Sequence, residues 1–169
     1  MRWVSATLWR TVTCNPWGVR GSAPAKQDLA FKRLSADLQG WQVENDVPHD
    51  RRITELTPKM LGGACEDGED HPGGLMKLKA AQCGRLLCFG VACLDRHVGV
   101  AYRGDLIKGG QALVEYLDIV RAAGPVPTDA QCRTLTRLVV EHMLASQRAC
   151  IHFVPKHHLM MHLTTRTVL

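Results

Sequence analysis

The chain has 169 residues, 46% of them hydrophobic and 22% charged, with a formal net charge of +5. That balance excludes a disordered polyelectrolyte and leaves room for one domain with a real core, while two full domains would be a squeeze. Large anchors are scarce, with four tryptophans, three phenylalanines and two tyrosines, so the core must rest on Leu, Val, Ala, Met and Cys.

Charge is distributed in blocks. Residues 1–27 carry Arg2, Arg10, Arg20 and Lys26 without an acid, residues 44–71 hold eight acids against three Lys/Arg, and residues 72–104 turn positive again. A nucleic-acid groove needs a sustained basic face, which this alternation does not supply. No apolar run approaches the roughly 18 residues of a membrane-spanning helix, and no apolar core of a secretory signal precedes the first polar residues. The cysteines are odd in number and scattered, at Cys14, Cys65, Cys83, Cys88, Cys93, Cys132 and Cys150. Reduced thiols in an intracellular protein, nuclear or cytoplasmic, are therefore expected.

In chain order, residues 1–24 are rich in Arg, Ser and Thr, and an irregular, disordered N-terminal segment is predicted. The same composition fits a mitochondrial presequence, but Asn15-Pro16, Gly18 and Gly21 interrupt the amphipathic helix that such a signal needs. Residues 25–40 read as a short helix with Leu29, Phe31, Leu34 and Leu38 as apolar positions and Gly40 as its stop. Residues 41–74 lose periodicity. Pro48, Pro58, Gly62-Gly63, the run Glu66-Asp67-Gly68-Glu69-Asp70 and Pro72-Gly73-Gly74 predict an acidic, Gly/Pro-rich linker. Its acids are not spaced as an EF-hand loop requires.

Residues 75–169 are expected to form a helical domain, cut short at its C-terminal end. The stretch 75–97 is apolar on most faces after Arg85, which predicts the central buried helix. Gly84 and Gly90 each cost about 1 kcal/mol of helix propensity there, tolerable where another helix crosses closely. A weak strand is the alternative for residues 98–102. A helix over 105–123 carries Leu106, Leu113, Leu117 and Val120 and stops at Gly124-Pro125. Thr128 then caps a helix running to about Cys150, with Leu135, Leu138, Val139, His142 and Met143 on one face. The fold class is all-α, an irregular bundle of three to four helices.

Candidate chemistry is thin. Cys83, Cys88 and Cys93 recur every five residues, so on a helix consecutive thiols point about 140° apart and cannot converge on one ion. Small buried hydrophobes are the expected role. Cys150 with His152 has the residue types of a nucleophile and its base, but no stabilising partner can be named. His142, Ser146 and Cys150 share one helix face, suiting either a His–Cys metal pair or a buried hydrogen-bonded histidine. His158 and His162 stand four apart, as half of a zincin motif does, but Leu159 occupies the place of its catalytic Glu. A non-catalytic zinc site using His158, His162, His152 and Cys150 is the remaining metal reading. Asp95, Asp105, Glu115, Asp118, Asp129 and Glu141 are spaced as solvated helix charges, not as a carboxylate triad for two-metal phosphoryl transfer.

The tail Pro155-Lys156-His157-His158-Leu159-Met160-Met161-His162-Leu163 resembles a box found in open reading frames of mobile elements, transposase-like or retroelement-derived, where Pro-Lys-x-His-x-x-x-His-Leu follows a helical region. Lys79-Ala80-Ala81-Gln82-Cys83-Gly84-Arg85-Leu86-Leu87 is a weaker second match. The resemblance implies a portion of a transposase-like protein with DNA or a protein as partner. Pro155, Lys156, His158, His162 and Leu163 are the matching positions. The expected function is that of a non-catalytic helical piece of such a protein, or alternatively of a small zinc-binding protein.

Overall fold

The computed structural model describes residues 2–61, 80–124 and 126–151. Among them are five α-helices, one 3₁₀ turn and no strand, so the all-α expectation holds. The helices are α1 (Arg2–Cys14), α2 (Ala23–Glu44), α3 (Ala80–Arg96), α4 (Arg103–Ala122) and α5 (Asp129–Arg148), with the 3₁₀ turn at His49–Arg51. The chain divides into two compact units, Met1–Ala101 and Tyr102–Leu169. Helix α3, within the 75–97 stretch expected to join the C-terminal domain, falls in the first unit, where it packs on α1.

The N-terminus departs most from its expectation. In place of an irregular segment, α1 buries Trp3, Val4, Ala6, Leu8 and Val12 together with Ser5, Thr7 and Thr11. These three hydroxyls, read from sequence as a mark of polarity, are turned inward, while Thr13 is exposed. Thr11 Oγ1 donates to the Thr7 carbonyl at 3.0 Å and Ser5 Oγ donates to the carbonyl of Leu61. Residues 3–8 are buried on every side, whereas α3 exposes Asp95 and Arg96 and half-exposes Arg85, Cys88 and Val91, so α1 rather than α3 is the central helix. The breakers after it do act, but only to end it. Asn15 adopts φ +53° and its side chain both accepts from the Val19 N–H (2.9 Å) and donates to the Val19 carbonyl (3.1 Å).

The close crossing expected at Gly90 is present, and its partner is α1. A Cβ at Gly90 would lie 3.2 Å from Trp3 Cζ3 and 3.6 Å from Cη2. The indole therefore takes the space that a side chain would fill.

Helix α2 has Pro24 in its first turn, where a missing N–H costs nothing. Ala30, Phe31, Leu34 and Leu38 face inward as expected, but Leu29 is 41% exposed. Gly40 does not stop the helix. It ends instead in a Schellman turn, with Asp46 at φ +51°, its N–H on Val43 O (3.1 Å) and the Val47 N–H on Gln42 O (2.9 Å).

The first part of the predicted linker is packed. Val47, Ile53, Leu56 and Leu61 are buried. The Gln42 amide donates to Ile53 O (2.9 Å) and accepts from Ile53 N (2.7 Å), as a neighbouring strand would. Ser35 Oγ accepts from Leu56 N at 2.9 Å. Buried polar side chains on α2 thus satisfy an extended segment that has no sheet to join. Residues 62–79, with the acidic run and Cys65, lie outside the described residues.

The second unit follows its sequence closely. Residues 98–102 form a turn rather than a strand. Helix α5 opens with a capping box: Thr128 Oγ1 accepts from Gln131 N (3.3 Å) and Gln131 Oε1 accepts from Thr128 N (2.8 Å). Leu106, Gly109, Gly110, Ala112 and Leu113 of α4 are buried, as are Cys132, Leu135, Leu138, Val139, His142 and Ala145 of α5, and the two helices pack on each other. Val120, expected on the buried stripe, is 46% exposed.

Candidate functional site

Of the residues expected to hold zinc, His152, His158 and His162 lie outside the described residues, as does the rest of the tail box. Cys150 is described. It stands just past α5 at φ +53°, its N–H on Gln147 O (2.9 Å), while the next N–H, of buried Ile151, reaches Ser146 O (2.9 Å). This is a second Schellman turn with cysteine where glycine is usual. The turn tucks Ile151 in and leaves Cys150 exposed.

His142 is 1% exposed and its Nδ1 lies 2.8 Å from the carbonyl of Gly109. A carbonyl only accepts, so Nδ1 carries the proton and ties α5 to α4. Ser146, one turn on, is buried, and its hydroxyl has no hydrogen-bond partner. The expected stripe holds for His142 and Ser146 only: α5 ends at Arg148, and Cys150 stands exposed beyond it in the left-handed turn, so it does not share a helix face with the buried His142. Among the described residues, no three His, Cys, Asp or Glu side chains are grouped to hold a metal.

The cysteines of α3 take up the role of small core residues in graded fashion. Cys83 and Cys88 are half-buried and Cys93 is buried. Burial, with the Asp37 carboxylate adding to it, pushes the Cys93 thiol well above its ordinary range, which keeps it protonated and a poor nucleophile. None of the described cysteines is in a disulfide.

One polar cluster has no counterpart in the sequence reading. Trp17, in the loop after α1, donates Nε1–H to Asp37 Oδ2 of α2 at 3.1 Å. His97, just past α3, places Nε2 at 3.6 Å from the same oxygen. The Trp17 and His97 rings meet edge to face, centroids 5.4 Å apart at 70°. Three separate parts of the first unit converge on one carboxylate oxygen. No local pattern signals this, because each residue is unremarkable among its sequence neighbours.

Three arginines of the second unit are engaged by acids. Arg148 meets Asp105 at 2.7 Å, Arg121 meets Asp118 at 3.0 Å, and Arg137 reaches Glu141 at 3.2 Å and Glu115 at 3.6 Å. Four of the acids expected to be merely solvated therefore pair with arginines. Among the described residues no helix is long and apolar enough to cross a membrane. The chain matches no family model, no curated protein and no solved structure.

Proposed function

We propose that the chain is a non-catalytic helical binding protein of mobile-element origin whose partner is a protein rather than duplex DNA. The observation that carries this reading is the outer surface of the α4–α5 unit. Arg121, Arg137 and Arg148 are turned to neighbouring carboxylates instead of being gathered to face phosphates, while Val140 and Leu144 stand one turn apart on α5, 38% and 49% exposed. Covering apolar surface contributes about 25 cal/mol per Å², whereas a phosphate partner would first have to break the ion pairs. Two groups that could carry chemistry are used structurally, His142 by the Gly109 carbonyl and Cys93 by the core. The origin rests on Pro155, Lys156, His158, His162 and Leu163 of the tail box.

An intracellular, reducing compartment, nuclear or cytoplasmic, suits the free cysteines. A cleaved mitochondrial presequence suits α1 poorly, because its removal would take Trp3 and Leu8 out of the core. Fluorescence anisotropy with labelled duplex DNA at low salt tests the choice of partner. No binding is expected, and binding that weakens steeply with added salt would overturn it.

A second reading is favoured by Cys150. Its exposed position at the C-terminal end of α5, where helix carbonyls favour a cation, suits a zinc ion completed by His152, His158 and His162. Elemental analysis of protein purified without chelator should find about one equivalent of zinc, and less than about a tenth would sink this reading.

A further inference from the structure

We propose that the outward face of α2 docks a second copy of this chain, the two helices running antiparallel. Leu29, Ala36 and Val43 recur at intervals of seven, so at about 100° per residue they lie within about 20° of one line along the helix. All three point away from the core that Phe31, Leu34 and Leu38 enter. Leu29 and Val43 are 41% and 57% exposed, and Ala36 is exposed between them. Gly40 belongs to the same face, and a Cβ there would meet nothing within 4 Å. The neighbours of α2 stop at its flanks. Trp17 and Arg96 reach Asp37 and Glu44 on one side, and the Gln39 amide donates to the Thr54 carbonyl at 2.6 Å on the other. Between them runs an apolar ridge about 21 Å long, with small residues at its middle where a second helix can come close. A seven-residue repeat of this kind is the seam of a helix pair.

Charge selects the occupant and its direction. Residues 23–33 carry Lys26, Lys32 and Arg33 against Asp28, whereas residues 34–44 hold Asp37 and Glu44 and no base. Lys26 and Arg33 are exposed, and no carboxylate of the described residues pairs with them. A parallel pair would set these cations against each other. Turned antiparallel about Ala36, Leu29 falls opposite Val43 of the second copy, and Lys26 comes within two residues, about 3 Å along the axis, of its Glu44. Both charges lie on the same edge of the seam, and two-fold symmetry makes the contact twice. Glu44 holds Arg96 through Oε2, which leaves Oε1 for the lysine. A single helix pair covers less than the roughly 800 Å² per partner of a stable complex, so the dimer is weak and depends on concentration.

The test is sedimentation equilibrium of the full reduced chain from about 10 μM to about 1 mM, with circular dichroism as the check on folding. The average mass should climb towards that of a dimer. Ala36→Glu places two carboxylates face to face at the symmetry axis and should weaken association by at least about tenfold. Lys26→Glu and Glu44→Lys should each weaken it by about fivefold, and an equimolar mixture of the two should regain it, because only the mixed pair has opposite charges at both contacts. A wild type that stays monomeric throughout overturns the proposal and leaves the face to a different protein. Association that Ala36→Glu leaves unchanged also overturns it, and its loss in Val140→Glu/Leu144→Glu then assigns the contact to α5. A mixture no tighter than its components rejects the antiparallel pairing. Should Ala36→Glu lose its helical circular dichroism, Leu29→Glu takes its place.

Discussion

The two units hold themselves together by different means. In the second, α4 and α5 lie antiparallel in sequence order, joined by a short loop. Buried glycines of α4 meet the apolar stripe of α5, with ion pairs along the edges. The apolar contacts among these are ones that helical periodicity and a cap announce, while the ion pairs are not. In the first unit, a helix rich in hydroxyls is sunk among apolar residues, and an extended segment is held by the side chains of Ser35 and Gln42 instead of by a sheet. Stability there depends on polar groups finding partners far away in sequence. The same residue types thus read as surface in one context and become core in another. All four tryptophans, Trp3, Trp9, Trp17 and Trp41, belong to the first unit, so indole fluorescence watches that unit alone while Tyr102 and Tyr116 report on the second.

That separation allows the comparison to be broken experimentally. The largest effect is expected for Trp3→Ala, which empties the space against Gly90 and should cost about 3–5 kcal/mol in urea unfolding followed by tryptophan fluorescence. An unchanged midpoint would show that α1 is not the centre of the unit. Next, Gln42→Ala leaves both the N–H and the carbonyl of buried Ile53 without partners and should cost about 2–3 kcal/mol. Thr128→Ala removes the cap of α5 and should lower stability by about 1 kcal/mol, seen in amide exchange of α5 with the fluorescence transition unmoved. Arg137→Ala, at an exposed position with two carboxylate neighbours, should change stability by less than about 1 kcal/mol.

A pH series sharpens the same contrast. The folded state raises the Cys93 thiol above its unfolded value, so the folded chain holds that proton more tightly. Its contribution is complete below the ordinary thiol range, near about pH 8.5, and is lost as pH rises beyond it. Fluorescence-detected stability of the first unit should therefore fall on the alkaline side, and Cys93→Ala should flatten that fall even though it lowers stability at neutral pH. An identical slope in the variant would refute the assignment.

Legibility tracks the range of the interactions. Helices α4 and α5 were predictable to within a few residues because Thr128, Gly124 and the spacing of Leu135, Leu138, Val139 and His142 act locally. The inward-facing residues of α2 were legible for the same reason, except Leu29, which periodicity places inside but which stands on a part of the helix that nothing covers. Helix α1 was hidden because Ser5, Thr7 and Thr11 count as polar in any sequence window, and only the carbonyls of Leu61 and Thr7 reveal where the Ser5 and Thr11 hydroxyls go. The shared face of His142 and Ser146 was visible, while the end of α5 that leaves Cys150 off it was not, since a cysteine stands in that turn where glycine is usual. The Trp17–Asp37–His97 cluster left no trace, because three elements distant in sequence must be folded before they share one oxygen.

By itself, the amino-acid order determined the helical class, the stop of α4, the cap of α5, the glycine crossing on α3 and the inward faces of α2 and α5. These follow from backbone propensity and the 3.6-residue period, which act over a turn or two. Tertiary structure alone decided that the N-terminal residues are the centre of a core, that α3 belongs with them, and that half of the apparent linker packs onto α2. It also decided that a histidine and an aspartate far apart in sequence stand 3.6 Å apart. Those outcomes depend on which surface is left uncovered once every other helix has found its place, and that is a property of the folded whole, not of any window along the chain.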